Sequence, residues 1–255
     1  MIAALYAYGH KGGMSMKGNP RMKRKKRPVF FLIWLGIVVA GVLVIVLYKK
    51  SQPVFQYIPQ FTYTPVLDAG HGGEDMGTTS ASGLLESHIN LEITKRTELL
   101  MRFFGVEPVM TRTEDVSLHD PGTEEKNKRK QSDFDNRLRI VGRTKNPFLI
   151  SIHQNYYEDP AVSGGQAFYG KAKNSRPLAD TIQSLLLIID PNNRRTVAPI
   201  SELLYLFKKN TAPAVLVECG FLSCPEEAAR LASGTYQQKI AAVITAAFLT
   251  WEKTV

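Results

Sequence analysis

From residue 63 onward, the hydrophobic positions follow two alternating periods. Short apolar runs at Tyr63–Leu67, Val106–Met110, Pro147–Ile152, Gln166–Tyr169 and Ala214–Val217 read as strands. Between them lie longer stretches whose apolar residues recur every three or four positions. Ile89, Ile93, Leu100, Phe103 and Phe104 predict a helix over 86–104, and Gly105 stops it. Similar spacing predicts helices over 134–145, 175–189, 225–232 and 235–252. Leu203–Phe207 reads as an edge strand or a short helix. Residues 112–135 (RTEDVSLHDPGTEEKNKRKQSDFD) are polar with a Pro-Gly turn and read as a long loop. Strand–helix alternation of this kind predicts an α/β fold, a three-layer sandwich with a mostly parallel central sheet. No internal repeat or second module is visible.

Residues 28–48 (PVFFLIWLGIVVAGVLVIVLY) obey neither period: they are 21 residues without a charge. A helix of that length spans about 31 Å, close to one hydrocarbon core. A cleaved signal peptide usually has a shorter apolar core followed by small residues. Here the run ends in Tyr-Lys-Lys-Ser-Gln-Pro, so an uncleaved transmembrane signal anchor is expected. The chain then divides into a basic cytoplasmic segment (1–27), the anchor (28–48), a tether (49–62) and a catalytic domain (63–255).

Composition alters this picture at one point. Across the 255 residues, 44% hydrophobic and 22% charged residues exclude a disordered chain, and two cysteines are too few for a disulfide scaffold or a Cys₄ metal site. A net charge of +9 would ordinarily suggest an acidic partner. Ten of the 32 Lys and Arg residues, and none of the 23 Asp and Glu residues, lie within 1–50, so the remainder of the chain is nearly neutral. That distribution argues against a nucleic-acid surface. Six basic residues within Arg21–Arg27 keep the N-terminus in the cytoplasm and place the catalytic domain outside the membrane.

Three apolar strands end in ionisable residues: PVLDAGH on His71, FLISIH on His153 and AVLVE on Glu218. Open α/β sheets bind ligands beyond the carboxyl ends of their strands. Glu86, at the start of the first helix after a Gly-rich stretch, can reach the same edge. Two imidazoles and one carboxylate make a three-ligand zinc site, and a further carboxylate can act as base. His71, Glu86 and His153 are the candidate ligands and Glu218 the candidate base. The plainer alternatives are a hydrogen-bonded strand-end His and a Glu86 favoured in a first helical turn by the macrodipole. His88 should point away, and His119 should be solvated. Asp68 is expected to orient the Gly-rich turn. Cys219 and Cys224 are expected to be structural thiols, Cys219 pointing away from Glu218 by strand alternation. The eight basic residues between 126 and 145 read as a solvated face, with contact to anionic wall polymers as the alternative.

VLDAGHGGEDMG, LLESHINLEI, FLISIHQN and AVLVECGFLS together resemble the zinc-dependent N-acetylmuramoyl-L-alanine amidases of the amidase 3 family. The resemblance covers residues 64 to about 250. It implies hydrolysis of the amide between N-acetylmuramic acid and L-alanine of the peptidoglycan stem peptide. It also implies Zn²⁺ on His71, Glu86 and His153, catalysis by Glu218, and a contact from Asn155 to a metal ligand or to substrate. Ala69 and Cys224 depart from the family pattern, where Pro and Asn are common. A narrower similarity, carried by SGGQAFYGKAKNS and PISELLYLFKKNTAPAVLVECGFL, is to CwlD-type spore-cortex amidases of endospore formers. That similarity implies stem-peptide removal before muramic-δ-lactam forms in the cortex, in the space between mother-cell and forespore membranes. The expected partners are peptidoglycan, the membrane through the anchor, and an activator protein. The competing readings are a non-catalytic, anchored peptidoglycan-binding or regulatory protein and a zinc peptidase of the stem peptide.

Overall fold

The computed structural model describes residues 27–50, 60–123 and 125–254. The basic segment before Arg27 and most of the expected tether lie outside the described residues. Helix α1 (Arg27–Lys50) contains the apolar run, and Val29–Tyr48 is long and apolar enough to cross a membrane, with a mean hydropathy of 3.1. Its large apolar side chains are exposed along its whole length. A helix that is apolar all round is suited to lipid or to a protein core, not to water.

The second unit is an α/β sandwich. Its strands are β1 (Thr64–Ala69), β2 (Val109–Met110), β3 (Pro147–Asn155), β4 (Gln166–Tyr169), β5 (Ala198–Pro199) and β6 (Ala214–Phe221). They form one sheet in the order β2-β1-β3-β6-β4-β5. Every pairing is parallel except β4 with β6. The helices are α2 (Glu86–Phe103), α3 (Lys126–Arg143), α4 (Ser175–Ile189), α5 (Tyr205–Lys209), α6 (Pro225–Ala232) and α7 (Gly234–Glu252).

The central strands are apolar on both faces because both faces are covered. Leu67, Ile150, Ile152, Val215 and Val217 face the larger core with Ile93 of α2, Ile182 of α4 and Phe248 of α7. Val66, Leu149 and Ala214 face a smaller core with Val141 of α3 and Leu206 of α5. Period-two alternation then places Asp68, Ser151, His153 and Glu218 on the side of α3 and α5. Cys219 falls in the larger core, on the face opposite Glu218.

Several elements differ from the sequence expectation. Helix α3 begins at Lys126, inside the stretch read as a loop. Lys, Arg and Gln are good helix formers, and only Arg137 and Val141 of this helix are buried, so its first turns carry no apolar period. Strands β3 and β6 run past their apolar cores through His153 and Glu218. The Leu203–Phe207 segment resolves into the short helix α5. The edge strand β5 had no sequence signal, and two residues are too few to carry one.

The smaller side of the sheet is built around a buried ion pair. Asp68 is 1% exposed and Arg137 is 2% exposed. Arg137 Nη1 donates to Asp68 Oδ1 at 2.5 Å, Ser151 Oγ donates to Asp68 Oδ2 at 2.6 Å, and Thr111 Oγ1 donates to Oδ1 at 2.8 Å. Arg137 also donates to the carbonyls of Ala69 and His71, at 2.8 and 2.7 Å. Asp68 thus acts on the Gly-rich turn through this guanidinium. The basic run is therefore not wholly a solvated face, because Arg137 is internal.

Burial opposes ionisation of Asp68, but the Arg137 charge and the Ser151 hydroxyl outweigh it and hold its pKa at about 2 against an ordinary 3.8. A carboxylate whose pKa is depressed on folding stabilises the fold above its unfolded pKa and loses that contribution as pH falls through the folded value. The contribution is about 2 kcal/mol. In urea unfolding, wild-type stability should fall more steeply from about pH 4 to about pH 2 than that of Asp68→Asn. Arg137→Met leaves the Asp68 charge buried without its cation, so a loss of about 3–5 kcal/mol is expected at neutral pH.

Candidate metal centre

The carboxyl ends of β1, β3 and β6 and the N-terminus of α2 meet at one point. β3 and β6 pair so that His153 lies opposite Glu218. β1 ends at Ala69, and the chain turns sharply to present His71, whose φ of +61° lies in the left-handed region. Two buried arginines hold that turn. Arg112, within the stretch read as loop, donates to the carbonyls of Ala69, Gly70, Ser87 and Glu114 at 2.8–3.0 Å, and Arg137 supplies the bonds described above.

Glycine is required at two points by close approach. A Cβ at Gly70 would overlap the His153 ring. At Gly77, where φ is +70°, a Cβ would fall 2.5 Å from Glu86 Oε2 and 2.8 Å from the His71 ring.

Glu86 is buried and central. Its Oε1 lies 2.9 Å from His153 Nδ1 and 3.3 Å from His71 Nε2. Oε1 also accepts bonds from the Gln154 N–H at 3.2 Å and the Asn90 amide at 3.3 Å, while Oε2 accepts the Thr78 N–H at 2.8 Å. The candidate donor atoms of His71, Glu86 and His153 lie within 4.8 Å of one another. Burial raises the Glu86 pKa, but the two imidazoles more than reverse this and hold it far below the usual carboxylate range.

His71 Nδ1 lies 3.0 Å from Asp75 Oδ1. Burial lowers the His71 pKa, yet Asp75 and Glu86 overcome it and lift the value to about 9. The cluster therefore attracts positive charge, either a proton or a cation that displaces it. Two imidazoles and a carboxylate, with a carboxylate behind one imidazole, form a donor set suited to zinc.

Glu218 Oε2 is shielded from solvent and has no hydrogen-bond partner among the described residues. Burial pushes its pKa up, the His153 charge pulls it down and the Glu86 charge adds to the rise, leaving it at about 7. Such a carboxyl group can both take and give a proton near neutrality.

The structure therefore brings His71, Glu86, His153 and Glu218 together. Asn155 follows a register shift after His153 and uses its carboxamide locally, Oδ1 accepting the Tyr156 N–H at 2.8 Å. His88 is exposed and turned to Asp115, at 2.9 Å, and His119 Nδ1 is 2.9 Å from Ser117 Oγ. Burial pushes the Cys219 thiol pKa far up, so it is inert. Sequence reasoning missed Asp75, Asn90, Arg112 and Arg137. Asp75 stands four residues after His71 and had a legible signal in its spacing. Asn90 stands one turn after Glu86 on α2, and Arg112 and Arg137 act through contacts distant in sequence.

A family described as N-acetylmuramoyl-L-alanine amidase matches residues 66–249. A germination-specific N-acetylmuramoyl-L-alanine amidase of Bacillus subtilis is 32% identical over 224 residues, 84% of this chain and 92% of its own length. Among solved structures, the CwlD amidase of Clostridioides difficile, determined in complex with the GerS lipoprotein, superposes with a TM-score of 0.72. It is 35% identical, with 76% of this chain and all of that chain covered. The amidase AmiC2 of Nostoc punctiforme superposes with a TM-score of 0.64 at 28% identity, covering 76% of this chain and 99% of that one.

Gly70→Ala should push the His153 ring out of the cluster and weaken zinc affinity by about tenfold or more. Competition with a chromophoric chelator measures this, and unchanged affinity would show that His153 does not depend on the missing Cβ.

Proposed function

The chain belongs to the N-acetylmuramoyl-L-alanine amidase family and is a peptidoglycan amidase, and we propose that it works through zinc held by His71, Glu86 and His153. The observation that carries this reading is the Glu218 carboxyl, one oxygen of which is shielded and without a partner among the described residues, opposite His153 and beside a cluster that attracts a cation. When bound, zinc supplies Lewis acidity at the reacting carbonyl and water. His71 and His153 offer neutral imidazole nitrogens, and Asp75 Oδ1, 3.0 Å from His71 Nδ1, is placed to set the tautomer of that ring. Glu218 takes a proton from the water that attacks the lactyl carbonyl carbon. It returns that proton to the L-alanine nitrogen as the C–N bond breaks, so acid and amine leave with protons balanced. Asn155, at the end of β3, contacts the substrate beyond the ligands.

In this proposal residues 1–27 lie in the cytoplasm, α1 is the uncleaved anchor, and the catalytic unit lies outside the membrane. The basic flank before the apolar helix supports that direction. The site of action is the spore cortex, where stem-peptide removal precedes muramic-δ-lactam formation. The germination-specific relative and the CwlD likeness support this role. The complex of that CwlD with a lipoprotein supports an activator of the same kind here.

Three measurements test these readings. The full chain, solubilised in detergent with zinc, should release intact stem peptides with a free L-alanine N-terminus from purified sacculi, as read by mass spectrometry. Cuts inside the peptide would replace the amidase with a peptidase. Glu218→Gln should retain zinc and lose at least about a hundredfold in turnover, whereas His71→Ala should lose both. Full activity in Glu218→Gln would remove that residue as the base. Protease added to intact protoplasts should digest the catalytic unit, and its protection would reverse the proposed orientation.

A further inference from the structure

Two clefts meet at His71. The first, of about 380 Å³, extends from His153 and Glu218 along a wall that includes Phe134, Leu204, Tyr205 and Phe207. The second, of about 220 Å³, is lined by Lys126, Arg129 and Lys130 of α3 and also by the carboxylates of Glu74, Asp75 and Asp133, which Arg129, His71 and Arg137 meet. A substrate whose scissile amide sits at His71 must send its acyl side and its amine side in different directions. The apolar and aromatic wall suits ring faces and methyl groups, which belong to the sugar and its lactyl arm. The basic edge suits an anion, and the amine side of this amide is a peptide.

The three basic residues are not equivalent. They recur at i, i+3 and i+4 and therefore share one face of α3. Arg129 is engaged in an ion pair with Glu74. Lys128, which does not line the cleft, is paired with Glu125 at 2.7 Å. Lys130 Nζ stands 3.9 Å from Asp75 Oδ2, beyond hydrogen-bond length, and its side chain is 55% exposed. Lys126 is exposed at the mouth of the same cleft. Both lysines can turn their donors toward a ligand without breaking a short ion pair, and Lys130 lines both clefts at their junction.

We propose that Lys126 and Lys130 form a carboxylate-binding subsite for the peptide side of the substrate, occupied by an acidic residue directly after L-alanine. The assignment rests on the amidase reading above and adds selectivity to it: the enzyme prefers stem peptides whose second residue is a free acid over those in which it is amidated.

The test uses the full chain in detergent micelles, carrying Glu218→Gln so that ligand is bound but not cleaved. Zinc-loaded protein is titrated calorimetrically with N-acetylmuramoyl-L-alanyl-D-glutamate and with its diamide. The acid should bind about tenfold more tightly, and raising the salt concentration should shrink the difference. Adding Lys126→Met and Lys130→Met should abolish the preference by weakening the acid alone, leaving the diamide affinity unchanged. Because both side chains are exposed, unfolding should be unaffected, and a urea midpoint confirms this. Equal affinity for the two ligands before substitution, or an equal loss for both after it, overturns the subsite while leaving the amidase reading intact. Wild-type chain that cuts the parent glycopeptide anywhere but at the muramoyl–alanine amide overturns the amidase reading and this assignment with it.

Discussion

The hydrogen bonding of two buried guanidinium groups is the constraint on which the site depends. Three consecutive carbonyls, those of Ala69, Gly70 and His71, point inward where the chain leaves the sheet, and Arg112 and Arg137 supply their donors. Unpaired, these carbonyls would carry a desolvation penalty that a turn with positive φ could not sustain. A lysine could not replace either residue, because the planar fork reaches several acceptors at fixed angles. Burying two cations side by side requires compensating negative charge: Asp68 within the sheet and Asp133 supply it to Arg137, and Asp115 lies 3.7 Å from Arg112.

The same scaffold sets the electrostatics of the cluster. The β3–β6 register places Glu218 opposite His153, and the N-terminus of α2 delivers Glu86 between the two imidazoles. One carboxylate is surrounded by donors and stays ionised. The other has one shielded oxygen with no hydrogen-bond partner among the described residues and titrates near neutrality. Two groups of the same chemical type thus reach opposite protonation behaviour because one is solvated by the protein and the other is not.

His71, His153 and Glu218 were legible because strands with apolar cores end abruptly in these ionisable residues, and Glu86 because it opens the helix that follows the Gly-rich stretch. Helix α3 was only partly legible. Its first turns face solvent and carry no apolar period, so helix-forming lysines and arginines read as loop. Arg137 sits in that same polar run, and nothing local distinguishes it from its solvated neighbours. The Asp68 carboxylate, 69 positions away, and the carbonyls of Ala69 and His71 make it internal. The alternation of β6 correctly separated Cys219 from Glu218, since a period of two needs no tertiary information.

The sequence by itself determined the α/β class, the apolar helix ahead of it, the asymmetry of charge around that helix, and the residue types brought to the sheet edge. All of these follow from short-range periodicity and composition. Strand order, the antiparallel β4, the register of His153 against Glu218, and the division between solvated and buried cations on α3 were decided only by the tertiary structure. Each depends on pairing between segments distant in the chain. The free energy of a charge is set by the groups folding brings around it, and neighbours in sequence do not specify those groups.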